Sequence, residues 1–448
     1  MSFVFPRSFH EPVKVATSAV GHEITASDGR RYIDACGGAA VSCIGHGDPR
    51  VIGAITRQLS EMDYSHTSFF SSEPAEALAE FLVSRAPGMD MALFVSSGSE
   101  AVEAALKLSR QYFLEIGEPQ RDHFVSRLQS YHGNTIGALS VGGNMARRRP
   151  YEPMLIEAVK YVSPCFAFRF KLPDESDDNY GQRLAAELRE TLDRIGPSRV
   201  LAFVAETVAG ATAGTVPPVR NYFRLIREIC DEHNILLILD EVMCGLGRCG
   251  SLFTYEDEGI EPDMVVIAKG LGGGYQPIGA VLVNHRIAAA IRSGSGVLKH
   301  GHTYQAHPAA CAGALAVQNI IEQDGLVERS RQMGEYLQAK LKSTFVDHPL
   351  VGDVRGRGLF QSIEFVMDRT TNAPPPAGLN LHALVKEAAL EEGLMVYAMA
   401  GTVDGVSGAH VTVAPSYTAG KDELDTIVAK LACAVDAAAA VVRPAQWR

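Results

Sequence analysis

The chain has 448 residues, 46% of them hydrophobic, and a formal net charge of −11 at pH 7. That length suits a large buried core in roughly two or three domains, and the acidic balance, with Arg147-Arg148-Arg149 as the one basic run, argues against a nucleic-acid partner. No apolar stretch approaches the roughly 20 residues of a membrane span, and the start Met-Ser-Phe-Val-Phe-Pro-Arg carries no basic segment followed by an apolar core. The expectation is a cytoplasmic protein whose eight cysteines, none in a Cys-x-x-Cys pair, stay reduced.

In chain order, Glu23–Ala26 and Arg31–Asp34 flank Asp28-Gly29, a hairpin signal. Six short apolar runs follow, at 92–95, 124–128, 201–205, 236–239, 265–268 and 280–283, with helical patterns between them such as 101–113 and 222–233. Strands alternating with helices predict an α/β fold: a mostly parallel central sheet flanked by helices. Near Gln323-Asp324-Gly325 the pattern changes. A helix at Leu326–Phe345, a strand region at 354–365, a helix at 382–392, strands at 394–397 and 410–414 and a last helix at 421–440 predict a smaller α+β domain. The expected organisation is a large domain over 61–324, a small domain over 325–448, and residues 1–60 joining the small domain.

Ligands of such sheets sit beyond the carboxyl ends of the strands. Lys269 lies at one such end, after Met264-Val265-Val266-Ile267-Ala268 and before Gly270-Leu271-Gly272-Gly273-Gly274. Burying an ammonium without a partner is costly, and burial lowers its pKa; an uncharged amine can form a Schiff base with an aldehyde. Asp240 ends the run Ile235-Leu236-Leu237-Ile238-Leu239. A lysine and a carboxylate at the ends of two sheet strands are what pyridoxal 5'-phosphate requires: an imine partner and a partner for the pyridinium nitrogen. Val242, two residues on in an extended chain, would face the same way and pack on the ring.

Other motifs keep two readings open. Ser97-Gly98-Ser99-Glu100 opens a helix: it is either a capping box or a phosphate site on free N–H groups. Tyr131-His132-Gly133 follows a strand, and the tyrosine could stack on a flat ring or pack on the core. Glu206 is a cap or a hydrogen-bonding group near a cofactor. His300-Gly301-His302 lacks a third metal ligand, so no metal is expected, and Thr303 could donate to a phosphate. Gly245-Leu246-Gly247-Arg248-Cys249-Gly250 fits the dinucleotide fingerprint but lacks the following apolar helix and the distal acid, so its glycines are read as shaping a loop.

Together these residues resemble the class III, or ω-amino-acid-type, aminotransferases of fold type I. The matching stretches are Ser96-Ser97-Gly98-Ser99-Glu100-Ala101, Tyr131-His132-Gly133-Asn134-Thr135, Ile238-Leu239-Asp240-Glu241-Val242, Pro262-Asp263-Met264 through Lys269 to Pro277, and Gly301-His302-Thr303-Tyr304. The resemblance implies pyridoxal phosphate on Lys269, which would also shuttle the proton, and Asp240 on the ring nitrogen. It implies Val242 and Tyr131 on the ring faces, and Gly98 and Ser99 on the phosphate beside Ser97 and His132. Thr303 would reach the phosphate of a neighbouring subunit in a homodimer, or a tetramer built from it. Glu206 matches a family glutamate near the cofactor that can pair with an arginine. The reaction implied is ping-pong transamination between an amino donor and an oxo acid. An aminomutase or racemase on the same fold is the alternative, and a dinucleotide-dependent oxidoreductase a remote one. In one respect the chain departs from its relatives: no arginine lies between Tyr397 and His410, where many members grip the acceptor's carboxylate. Pyruvate is therefore expected over 2-oxoglutarate.

Overall fold

The computed structural model describes residues 3–9 and 14–446. Three sheets organise it. The strands are β1 (Ala16–Val20), β2 (Glu23–Ala26), β3 (Arg31–Asp34), β4 (Met89–Val95), β5 (His123–Arg127), β6 (Val159–Val162), β7 (Val200–Glu206) and β8 (Leu236–Asp240). After these come β9 (Met264–Ile267), β10 (Gly279–Asn284), β11 (Val351–Arg357), β12 (Phe360–Phe365), β13 (Leu394–Met395), β14 (Tyr397–Ala400) and β15 (Ala409–Val413). The central sheet has seven strands in the order β4-β10-β9-β8-β7-β5-β6. Only β10 is reversed, antiparallel to both its neighbours.

Buried on both faces, β7, β8 and β9 are continuous apolar runs. Alternate residues feed opposite cores. Phe203, Leu237, Leu239, Val265 and Ile267 join one layer of helices. Ala202, Val204, Leu236, Ile238, Met264 and Val266 join the other. Parallel register sets Glu206 opposite Asp240 and Asp240 opposite Val266, so three functional strand ends fall on one edge.

Several segments differ from expectation, the unforeseen strand β1 among them. Strand β6 was not foreseen, because Val159-Lys160-Tyr161-Val162 is short and half polar, as suits the sheet's edge. Strands β5 and β9 begin and end one residue earlier; β9 stops because Ala268 leaves the strand and Lys269 adopts φ +43°. The region 354–365 is a hairpin, β11 and β12, turning at Gly358 with φ +55°. Segment 394–397 divides between two sheets: β13 runs parallel to β3, and β14 pairs with β15. Among the described residues no helix is long and apolar enough to cross a membrane.

Helix Leu326–Phe345 crosses the β11–β12 turn so closely that a methyl group on Gly334 would lie 2.1 Å from the carbonyl carbon of Gly358. Glycine to alanine inside a helix ordinarily stabilises by up to about 1 kcal/mol. Here overpacking reverses the sign, and Gly334→Ala should destabilise by about 1–3 kcal/mol in urea unfolding. A stabilised variant would show that the crossing is looser than described.

Candidate active site

A cleft of about 400 Å³ opens at the carboxyl edge of the central sheet. Its volume is that of a small-molecule site. It gathers Ser97, Gly98 and Ser99 from beyond β4, and Tyr131 and His132 from beyond β5. Glu206 ends β7, Asp240 ends β8 with Val242 just after it, and Lys269 follows β9. Of the residues read in the sequence as cofactor-binding, Thr303 lies outside the cleft. It is exposed, and its carbonyl accepts a 2.8 Å hydrogen bond from the Tyr64 hydroxyl.

The left-handed φ at Lys269 needs a reason, because β-carbon sterics disfavour it. The following turn supplies one. Gln318, fully buried, donates through Nε2 to the carbonyls of Gly270 (2.9 Å) and Leu271 (3.0 Å). Cys43 Sγ points at the same Gly270 oxygen. Lys269 borders the cleft with its side chain half-buried, and its amine makes no hydrogen bond among the described residues. Burial lowers its pKa from 10.5 to about 8, against the opposing pull of Asp240 and Glu206.

Asp240 is buried. Its Oδ2 lies 2.8 Å from His132 Nδ1, and its Oδ1 accepts from the Val242 amide at 3.0 Å. A carboxylate partner places the histidine proton on Nδ1 and leaves buried Nε2 without a partner among the described residues. Val242 lies in a turn rather than an extended chain, yet still reaches the cleft. Glu206 accepts from the amides of Gly210 (2.9 Å) and Tyr131 (3.3 Å), and Arg127 donates to its backbone carbonyl. Burial, with Asp240 nearby, pushes its carboxyl above the ordinary value, and His132 opposes the shift. No arginine side chain forms an ion pair with it among the described residues.

Ser97 does cap helix Gly98–Glu115: its hydroxyl accepts from the Glu100 amide, and Glu100 accepts in return from the Ser96 amide at 2.7 Å. The cap leaves the amides of Gly98 and Ser99, which line the cleft, without an acceptor among the described residues, as at a helix N-terminal anion site. A methyl group on Gly98 would press within 3.1 Å of Val242. That narrow cradle, the lysine with its lowered pKa, the buried carboxylate and the orphaned His132 nitrogen together fit pyridoxal phosphate. Among the described residues no group of three or more His, Cys, Asp or Glu could hold a metal ion.

Sequence reading missed the supports behind this edge. Glu241 is fully buried and accepts from Thr207 Oγ1 (2.9 Å) and from the Thr254 and Tyr255 amides (both 2.7 Å). It folds the 241–255 loop back behind Asp240, and burial pushes its pKa up to about 7. Arg248, also fully buried, donates to the carbonyls of Leu359 (2.9 Å) and Pro415 (2.6 Å), with its guanidinium 4.6 Å from the Tyr417 ring centroid. The glycines of this loop face inward: a β-carbon on Gly245 would meet Glu241, one on Gly247 would meet Tyr417, and one on Gly250 would meet Arg331. An acid following an acid, and an arginine inside a glycine-rich loop, carry no sequence signal that separates such buried roles from surface ones.

The fold and cleft are those of a pyridoxal-phosphate transferase, and comparison with known proteins agrees. The family model "Aminotransferase class-III" matches residues 4–435. An uncharacterized aminotransferase of Schizosaccharomyces pombe is 47% identical over 94% of this chain and 92% of its own length. The diaminobutyrate–2-oxoglutarate transaminase of Halomonas elongata is 37% identical over 95% and 90%. The crystal structure of an ω-transaminase from Pseudomonas jessenii in complex with PMP superposes with a TM-score of 0.92 at 33% identity, covering 99% of this chain and 98% of that one. The chain belongs to the class III aminotransferases, and its cofactor is pyridoxal 5'-phosphate.

In cofactor-free protein, Lys269 should be acylated by a small amine-directed reagent with a midpoint near pH 8, read by peptide mass spectrometry. A midpoint near that of surface lysines, about 10.4, would contradict its desolvated setting.

Proposed function

We propose that this protein transfers an amino group from an amine or ω-amino acid to an oxo acid, pyruvate being the favoured acceptor, in two ping-pong half-reactions. The observation that carries the reading is one cleft holding a desolvated Lys269, a buried Asp240 and the free amides at Gly98 and Ser99. Relatives named gamma-aminobutyrate transaminases, from Solanum lycopersicum at 34% and 35% identity, support an ω-amino donor. The absence of arginine between Tyr397 and His410 supports a monocarboxylate acceptor.

Bound pyridoxal phosphate supplies an electron sink for charge developing at the substrate carbon. The protein's part is positioning and proton transfer. Asp240 would hold a proton on the ring nitrogen of a bound cofactor, with His132 fixing the carboxylate's orientation. Tyr131 and Val242 would hold the cofactor ring, and Gly98 and Ser99, with Ser97 as cap, would hold its phosphate. Lys269 takes the proton from the substrate carbon as a base and returns it as an acid, which a pKa of about 8 permits near neutral pH. Glu206 positions the Tyr131 backbone beside the ring. Thr303, outside the cleft of its own chain, would serve the phosphate of a second copy in a homodimer; the exposed Phe69, Phe70 and Tyr304 support a surface covered in that way. Pairing of β3 with β13 supports grouping residues 1–60 with the small domain over 325–448, leaving 61–324 as the large one. All eight cysteines are free, which supports a reducing, cytoplasmic location.

Lys269→Ala should abolish both transamination and the yellow absorbance of the loaded enzyme, and turnover retained in that variant would refute the assignment. On a panel of 4-aminobutyrate, β-alanine and simple amines, wild-type turnover should be faster with pyruvate than with 2-oxoglutarate. Racemisation of a pure amino acid with no acceptor present would instead mark an isomerase.

A further inference from the structure

The basic triplet at 147–149 has three different fates. Arg148 is committed to structure, donating to the carbonyls of Leu139 (3.0 Å), Ser140 (2.5 Å) and Gly142 (3.2 Å). Arg149 is exposed. Arg147 is half-buried, and its guanidinium carbon lies 4.9 Å from the centroid of the Tyr131 ring, the ring that borders the cleft. Among the described residues that guanidinium has neither an ion pair nor a hydrogen bond. The large domain's other stacked arginines are not left this way: Arg121, Arg127, Arg169 and Arg248 all donate to carbonyls or carboxylates. A half-desolvated cation on an aromatic face, with five donors unused, is built to receive an anion.

A second line of evidence comes from the loop where an arginine is missing. Gln129 Nε2 donates to the carbonyls of Gly401 (2.7 Å) and Thr402 (3.0 Å), pinning the start of the 401–408 loop. The loop then packs on the segment that leads into Arg147: a β-carbon on Gly405 would lie 3.3 Å from the Ala146 amide nitrogen and 3.5 Å from Asn144 Oδ1. Tyr397 completes the group. It packs on the cluster that includes Val208 and Met243 of the cleft wall. Burial pushes its phenol above the ordinary value, and the neighbouring Arg147 charge opposes that.

We infer that Arg147 is the carboxylate-binding residue of this cleft, gripping the acid group of the oxo-acid acceptor and of an ω-amino acid donor from its seat on Tyr131, with the Tyr397 hydroxyl as second donor. The cation missing from the 401–408 loop is thus supplied from the large-domain side of the same gap. A single arginine serves one carboxylate, which deepens the monocarboxylate preference proposed above and rests on that transaminase reading.

The test compares the holoenzyme with Arg147→Gln and Arg147→Lys. For each, kcat/KM is measured with pyruvate and with propanal, a neutral acceptor, against one amine donor. Arg147→Gln should lower the pyruvate-to-propanal ratio roughly tenfold to a hundredfold, mainly through KM, with Arg147→Lys in between. Calorimetric titration with butanoate, an unreactive carboxylate, should show binding to wild type weakened at least roughly tenfold in Arg147→Gln. An unchanged ratio, or equal butanoate affinity in both proteins, overturns the inference. If wild type turns over neither acceptor, the transaminase reading fails, and the butanoate titration still decides whether Arg147 binds carboxylates.

Discussion

A primary amine that must be both desolvated and close to carboxylates sets the terms for the rest of this molecule. Stripping water from Lys269 favours the neutral form, while Asp240 and Glu206 favour the charged one. The balance rests near neutrality, where the same nitrogen can accept and return a proton. That balance depends on position more than on composition. A lysine a turn further out would be solvated and fully charged, and one without the two acids would be charged even less often. The unusual backbone at Lys269, held by Gln318 through two carbonyls, fixes the distance on which the balance depends.

The central sheet provides the acids, the amine and the anion site by one device. Every strand that bears a cleft residue runs the same way, so each delivers its last residues to the same edge. The third sheet is then fastened across this edge by buried charge. Glu364, fully buried, pairs with Arg169 at 2.5 Å and with Arg355 at 2.6 Å, and Arg355 also donates to the Gly214 carbonyl at 2.7 Å. Removing one member of such a group strands the others without water, so the group specifies one docking of the two parts even where its net contribution to stability is small. Arg248 makes a parallel fastening with uncharged acceptors.

Much of this was legible because strand ends are where apolar runs stop. Lys269, Asp240 and Glu206 were visible as charges at the ends of apolar runs, and Gly98 and Tyr131 as turn residues just beyond two others. Strand β6 escaped because an edge strand need not be apolar. The β11–β12 hairpin read as a strand region without its turn, because Gly358, which turns it, is one of many glycines. Glu241 and Arg248 escaped for a different reason. Glu241 is held by a threonine hydroxyl and two amides of its own loop, and Arg248 by carbonyls 111 and 167 positions away, and no local pattern encodes such pairing. Thr303 shows a third limit: its motif is recognisable, but its place is outside its own chain's cleft.

The grip of Gln129 on the carbonyls of Gly401 and Thr402 has a consequence for how such an enzyme can diversify. Main-chain oxygens are common to every amino acid, so the anchor does not read the side chains of the loop it holds. That neutrality reaches only part of the loop: Gly401, Gly405 and Gly408 keep positive φ and Thr402 bonds buried His410, so drift is confined to the positions between them. New substrate preferences can arise there while the catalytic floor beneath stays untouched.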